Sequence, residues 1–144
     1  MRLPPLVFVL GFAGLVPFFA GPVWVTVAPL SAPPWLDHLW LLYGALVASF
    51  MAGTFWGFSA PASQGSAGVA GLLVASVLML LTWAGLALPF APSLLALAGV
   101  FALQLLAELW RERALDTLPG YFRLRAILTA GAVAAIAWRF ALLR

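Results

Sequence analysis

Long apolar runs, separated by short polar or proline-rich segments, cover almost the whole of this chain. Each run approaches or exceeds the roughly 20 apolar residues that a helix needs to cross a bilayer. The pattern therefore predicts five helices, at about 5–28, 39–60, 69–88, 93–110 and 124–142. Because little sequence remains between the runs, we expect one all-α domain over residues 1–144, an integral membrane bundle of five transmembrane helices.

Prolines mark bends and ends of the predicted helices. Pro17 lies inside the first run, and because proline lacks a backbone N–H and clashes with the preceding turn, we expect a kink there. Three prolines between residues 29 and 38 predict a loop at the membrane surface. The connection of the third and fourth helices is so short that these two helices should form an antiparallel hairpin.

Composition supports the membrane class and excludes several others. The sequence is 65% hydrophobic and 8% charged, and its mean hydropathy is +1.12, so a water-soluble fold would expose too much apolar surface. The net charge of +3 comes from arginines at helix ends, which is not the pattern of a nucleic-acid-binding protein. Cysteine is absent, which excludes disulfides and thiolate chemistry.

The arginines are distributed unequally between the two sides of the predicted bundle. One side carries Arg2, Arg111, Arg113, Arg123 and Arg125, and the other carries Arg139 and Arg144. The positive-inside rule then predicts a cytoplasmic N-terminus and a C-terminus outside. All basic residues are arginines, which is typical of a GC-rich bacterial genome, and we therefore expect a bacterial inner (cytoplasmic) membrane location.

Small residues recur every four positions along the second predicted helix. Ala45, Ser49, Gly53 and Gly57 would form one ridge on its surface. Gly53 and Gly57 make a GxxxG pair, a pattern that lets two membrane helices approach closely. The ridge predicts a packing surface, either for the other helices of the bundle, for a second copy or for another membrane protein.

Glu108 is the most notable acid, because it lies near the end of the fourth helix at the membrane boundary. One interpretation pairs it with Arg123 or Arg125 across the boundary between the fourth and fifth helices, since an unpaired charge at membrane depth is costly. The alternative is a solvated helix end formed by Glu108, Arg111 and Glu112, in which a pair three residues apart contributes only a few tenths of a kcal/mol.

Other polar residues are few. Tyr43, Thr54, Trp56 and Gln104 are candidates for a narrow polar cleft, and the alternative is ordinary core packing. His38 lies beside Asp37, but one histidine and one acid are too few ligands for most metal sites. We therefore predict no metal and no cofactor.

Three sequence blocks resemble a known family. LGFAGLVPF from Leu10, YGALVASFMAGTFWGFSAP from Tyr43 and LPGYFRLRAILT from Leu118 are similar to blocks of the domain of unknown function 3429 family, whose members are transmembrane protein 69-like. The chain has Ala52-Gly53 where the family prefers two glycines. The resemblance implies a five-helix membrane fold and no established activity.

Three classes of function remain open. The first is a non-enzymatic scaffold or assembly factor that acts by helix packing, with the lipid bilayer and a membrane-protein partner or a homo-oligomer around it. The second is a small carrier or channel, which needs polar residues along a path. An intramembrane enzyme is the weakest class, because the spans contain no nucleophile and base pair and no paired carboxylates.

Overall fold

The structure, a computed structural model, describes residues 5–59, 65–114 and 121–143. Within these ranges the regular structure is helical throughout. The helices are α1 (Pro5–Ala13), α2 (Leu15–Val27), α3 (Leu36–Ser59), α4 (Ser66–Gly85), α5 (Phe90–Ala114) and α6 (Tyr121–Ala141), with a 3₁₀ turn at Pro29–Ser31.

Five segments of these helices are long and apolar enough to cross a membrane. They are Val9–Val27, Leu36–Thr54, Gly68–Gly85, Phe90–Trp110 and Phe122–Ala141. The predicted all-α architecture with five long apolar helices is therefore confirmed, whereas the orientation across a membrane stays a prediction.

Several helix limits differ from the predicted ones. α3 begins at Leu36, so Asp37 and His38 lie in its first turn instead of the loop. An acidic side chain in the first turn interacts favourably with the helix dipole, which explains why polarity did not end the helix there. α4 ends at Gly85, earlier than predicted, and Ser93 at the start of α5 shares its hydroxyl hydrogen with the carbonyls of Gly85 and Leu88 at 2.8 Å each.

The first span is interrupted at Gly14, between α1 and α2. Pro17 has no N–H to donate to the carbonyl of Ala13, so an unbroken helix would lose a hydrogen bond at this point. Gly14 N instead bonds the carbonyls of Leu10 and Gly11 at 3.1 and 3.2 Å. The interruption therefore lies one turn before the proline at which the kink was predicted.

Pro22 lies inside α2 without ending it. The carbonyl that it leaves without a helical donor is that of Phe18, and Trp40 Nε1 on α3 donates to this carbonyl at 2.8 Å. The indole lies over Gly21, where a Cβ would stand 2.6 Å from Trp40 Cδ1, so the contact requires glycine. The hydrogen bond that Pro22 cannot donate within α2 is thus replaced by one from Trp40 of α3.

Aromatic rings fill the centre of the bundle. Phe18 is 1% exposed, and its ring meets those of Tyr43 and Phe101 edge to face, with centroids 5.3 and 5.8 Å apart. These contacts bring α2, α3 and α5 together. Such edge-to-face pairs add to the packing energy of the buried ring surface.

The five spans alternate in direction along the chain. α3 packs against α2, α4 and α5, and α6 packs against α5 and α2. The start of α3 and the end of α6 therefore lie at one end of the bundle, which we call the Asp37 end. The end of α5 and the start of α6 lie at the opposite end, which we call the Glu108 end.

Candidate functional site

A charged pair is buried where α5 meets α6. Arg125 Nη1 lies 3.3 Å from Glu108 Oε1, and the two side chains are 5% and 0% exposed. The same nitrogen donates a 2.8 Å hydrogen bond to Thr54 Oγ1 on α3. Because charges at membrane depth are costly, each charged group here offsets the desolvation of the other. The contacts join three helices at the Glu108 end.

Gln104 lies one helical turn before Glu108 and is also buried. Its Nε2 donates to the Ala48 carbonyl of α3 at 2.7 Å. The Thr54 hydroxyl donates to the Met51 carbonyl at 2.7 Å, which leaves its oxygen to accept from Arg125. We call Thr54, Gln104, Glu108 and Arg125 the Glu108 cluster.

The structure distinguishes between the two arginines offered as partners of Glu108. Arg125 faces into the bundle and contacts the carboxylate, whereas Arg123 is exposed. Complete burial of Glu108 is incompatible with the alternative of a solvated helix end. The side chains of Arg111 and Glu112, which that alternative invoked, lie outside the described part of the structure.

The four residues of the predicted polar cleft do not form one site. Thr54 and Gln104 belong to the Glu108 cluster. Tyr43 lies nearer the middle of α3, where its hydroxyl donates to the Gly14 carbonyl at 2.6 Å. Trp56 is 49% exposed, unlike the buried Gln104, Glu108 and Arg125 of the cluster. The sequence did not show which of these polar residues lie in contact with one another.

The small-residue ridge of α3 divides into two parts. Ala45 is 5% exposed and packs inside the bundle, and Ser49 is half-buried. Gly53 and Gly57 face outward, and a Cβ built on either would meet no atom within 4 Å. The ridge is therefore a packing surface within the bundle only at its first part.

An open groove of about 240 Å³ runs between α3 and α4 beside this ridge. We call it the α3–α4 groove. Its lining includes Ser49, Ala52, Gly53 and Trp56 of α3 and Ala75 and Ser76 of α4.

A second ion pair, between Asp37 and Arg139, was not predicted. Arg139 Nε and Nη2 donate to Asp37 Oδ1 and Oδ2 at 2.9 and 2.6 Å, and the guanidinium lies 4.9 Å from the centre of the Phe90 ring. The side chains are 8% and 40% exposed for Arg139 and Asp37. Five antiparallel spans place both residues at one end, and their opposite charges were the signal that could have identified the pair.

No group of three or more histidine, cysteine, aspartate or glutamate side chains in residues 5–59, 65–114 and 121–143 is arranged to hold an ion. His38 is exposed at the Asp37 end. The arrangement of Asp37 and Glu108, each beside an arginine, serves to hold helices together.

Comparison with known proteins assigns the chain to a family. A family model described as "Protein of unknown function (DUF3429)" matches residues 3–141, which is nearly the full length. The chain belongs to the DUF3429 family. This confirms the resemblance carried by the three sequence blocks, and the family description names no activity.

One relative of this DUF3429 protein carries a name that describes a membrane protein. Transmembrane protein 69 of Xenopus tropicalis is 36% identical over 127 residues, which are 86% of this chain and 49% of the relative. The chain thus spans about half the length of that curated relative. No solved structure matches the chain. The match and the five apolar helices together make this a multi-pass membrane protein.

Proposed function

We propose that this DUF3429 protein is a non-enzymatic membrane scaffold or assembly factor, which binds a partner membrane protein by helix packing in the α3–α4 groove. The observation that carries the proposal is the open surface at Gly53 and Gly57. Lipid tails give no hydrophobic drive for helix association, so close approach over small residues is a main source of helix–helix affinity in a bilayer.

The contrast with other glycines of the bundle supports this proposal. At Gly21 a Cβ would stand 2.6 Å from the Trp40 ring, and at Gly44 it would stand 2.6 Å from Leu97 Cδ2. Those glycines are already used by internal contacts. Gly53 and Gly57 leave a comparable space that a helix from outside the described chain can use.

A small carrier or channel, as a homo-oligomer, is the alternative. Ser49 and Ser76 both line the α3–α4 groove, which favours a polar path between copies. However, the hydroxyls of Thr54, Ser76 and Thr82 donate to carbonyls of their own helices at 2.7, 3.0 and 2.8 Å. Hydroxyls engaged in this way present fewer donors to a passing solute. The groove therefore suits a helix better than a solute.

The absence of catalysis is part of the proposal. Asp37 and Glu108 each pair with an arginine of α6, and these contacts join helices of the bundle. We further propose a bacterial inner-membrane location with the Glu108 end in the cytoplasm. The excess of arginines at the N-terminus, in the last turns of α5 and in the first turns of α6 supports this orientation.

The test compares two glycine variants on the open surface of α3 with one on an open surface of α5. Gly53→Ile adds a side chain to the lining of the groove, and Gly57→Ile adds one to the open surface one turn further along α3. Gly99→Ile on α5 is the matched control, because Gly99 is another helical glycine whose Cβ would meet no atom within 4 Å and it does not line the groove. Tagged proteins are purified from native membranes in mild detergent and bound partners are quantified. We expect both α3 variants to lower partner recovery by about tenfold, equivalent to about 1.4 kcal/mol, and Gly99→Ile to leave it unchanged.

Thermal melting of each variant in detergent controls for loss of the fold. If Gly53→Ile and Gly57→Ile recover the same partners in the same yield as the unmodified protein, the groove is not the binding surface and the proposal fails.

A further inference from the structure

The Glu108 cluster contains a buried acceptor that the described residues leave without a hydrogen bond. Gln104 is 2% exposed, and its Nε2 donates to the Ala48 carbonyl at 2.7 Å. Its Oε1 is buried and accepts no hydrogen bond in the described part of the chain. Because burying a polar atom without a partner is costly, this oxygen points to a donor that is bound beside it.

The orientation of the Gln104 amide is fixed by its neighbour on α3. If its oxygen and nitrogen were exchanged, the amide oxygen would lie 2.7 Å from the Ala48 carbonyl oxygen. Two acceptors at this distance have no hydrogen to share, and they repel each other. The atom without a partner is therefore the oxygen, and the group that it binds has to be a hydrogen-bond donor.

The groups around this oxygen argue against a bound ion. Glu108 lies one helical turn after Gln104 on α5, so the two side chains share a face. A carboxylate and an amide oxygen present only acceptors, which an anion cannot use. Arg125 Nη1 lies 3.3 Å from Glu108 Oε1, so the pair has no net charge to attract a cation. A small neutral donor fits these surroundings best.

There is space for a small molecule beside the cluster. A cavity of about 40 Å³ lies inside the bundle, and Met51, Phe101 and Leu128 are among its lining residues. Each of these three residues is three positions from a member of the Glu108 cluster on the same helix, so the cavity lies about one turn from the cluster. A single water molecule needs about 10–15 Å³ of such space. Because the three side chains are apolar, only the polar atoms of the cluster can hold a water in place.

We infer that the Glu108 cluster binds one water molecule, which donates one hydrogen to Gln104 Oε1 and the other to the Glu108 carboxylate. A carboxylate accepts several hydrogen bonds, so the water is compatible with the contact to Arg125. The water completes a chain of polar contacts from the Ala48 carbonyl of α3 through α5 to Arg125 of α6. This site does not involve the α3–α4 groove, so the inference is independent of the proposed scaffold function.

The first test is a crystal structure of the unmodified protein, grown in a lipidic mesophase, at a resolution that shows ordered water. We expect a water at about 2.5–3.0 Å from both Gln104 Oε1 and an oxygen of the Glu108 carboxylate. No water at this position, or a water that contacts Gln104 but not Glu108, would overturn the inference. A side chain of the protein that donates to Gln104 Oε1 would overturn it as well.

Infrared spectroscopy of the protein in nanodiscs gives a second measurement, in a membrane. A water held between two acceptors gives a narrow O–H stretching band, which shifts when water labelled with a heavy oxygen isotope replaces ordinary water. We expect this band in the unmodified protein and its loss in Gln104→Met. Thr82→Val is the matched control and should keep the band, because the buried Thr82 hydroxyl donates to the Leu78 carbonyl of its own helix.

Two infrared results would contradict the bound water. The first is the absence of the band from the unmodified protein, or its persistence in Gln104→Met. The second is a carboxylic acid C=O band that disappears in Glu108→Gln, because it would show that a proton on Glu108 is the donor to Gln104 in place of water.

Discussion

Replacing Arg125 by alanine removes the guanidinium that lies 3.3 Å from the buried Glu108 carboxylate. It also removes the 2.8 Å hydrogen bond to Thr54, which joins α6 to α3. Replacing Glu108 by alanine leaves the bond between Arg125 and Thr54 in place. We therefore expect Arg125→Ala to destabilise the bundle at least as much as Glu108→Ala does.

The magnitude follows from the burial of both groups. At 3.3 Å the direct attraction is about 5 kcal/mol for an effective dielectric constant of about 20, and much of it is offset by the desolvation of the two ions. Removing one partner from a buried pair nevertheless costs about 3–5 kcal/mol. The double variant has no isolated charge left at this position. The double variant should therefore lose less unfolding free energy than the two single variants together, by about 1–3 kcal/mol.

The assay is reversible unfolding of the four proteins of a double-mutant cycle, by titration of a denaturing detergent into mild-detergent micelles. Arg123→Ala is the matched control, because this arginine is exposed on the same helix, and it should change the unfolding free energy by less than about 0.5 kcal/mol. If the Glu108 and Arg125 costs add within about 0.5 kcal/mol, the two groups do not interact and the reasoning is refuted.

Two further predictions concern the other cross-helix contacts. Trp40→Phe should lower the unfolding free energy by about 1–3 kcal/mol, because the Phe18 carbonyl loses its donor. In a Pro22→Ala background a backbone N–H is available again in α2. There the same substitution should lower the unfolding free energy measurably less in the same detergent titration. Arg139→Lys loses the bidentate geometry with the partly exposed Asp37, and it should lower the unfolding free energy by about 1 kcal/mol or less. A loss of unfolding free energy as large as that of Arg125→Ala would show that exposure does not weaken this pair.

The apolar runs predicted the helices well because length and hydropathy are local properties of the sequence. The residues at which helices begin and end were harder to predict where a polar segment is nevertheless helical. Asp37 and His38 were assigned to a loop because they are polar, yet they form the first turn of α3. An acid at a helix start is favourable for electrostatic reasons that hydropathy does not contain.

The partner of Glu108 was predicted only as one of two arginines. The choice depends on the rotation of α6 about its axis, because residues two apart face different directions. Arg125 shares a face with the buried Leu128 and Ala132, three and seven residues later. That apolar spacing is readable from the sequence, and it would have selected Arg125 over the exposed Arg123.

The direction in which the small-residue ridge faces could not be predicted. Spacing shows that Ala45, Ser49, Gly53 and Gly57 share one side of a helix, but it does not show what lies opposite them. The glycines that the bundle uses internally, such as Gly21, became visible only through the position of Trp40 in the neighbouring helix. Contacts of this kind depend on tertiary structure and not on local pattern.

The central claim, that this DUF3429 protein acts by binding another membrane protein, is tested most directly by purifying the tagged protein from its own membranes. The complex would be extracted in native nanodiscs and weighed by native mass spectrometry. We predict a defined heteromeric complex with one membrane-protein partner in fixed stoichiometry. Recovery of the chain as a monomer, or of a homo-oligomer alone, would contradict the scaffold proposal, and the homo-oligomer would favour a carrier or channel instead.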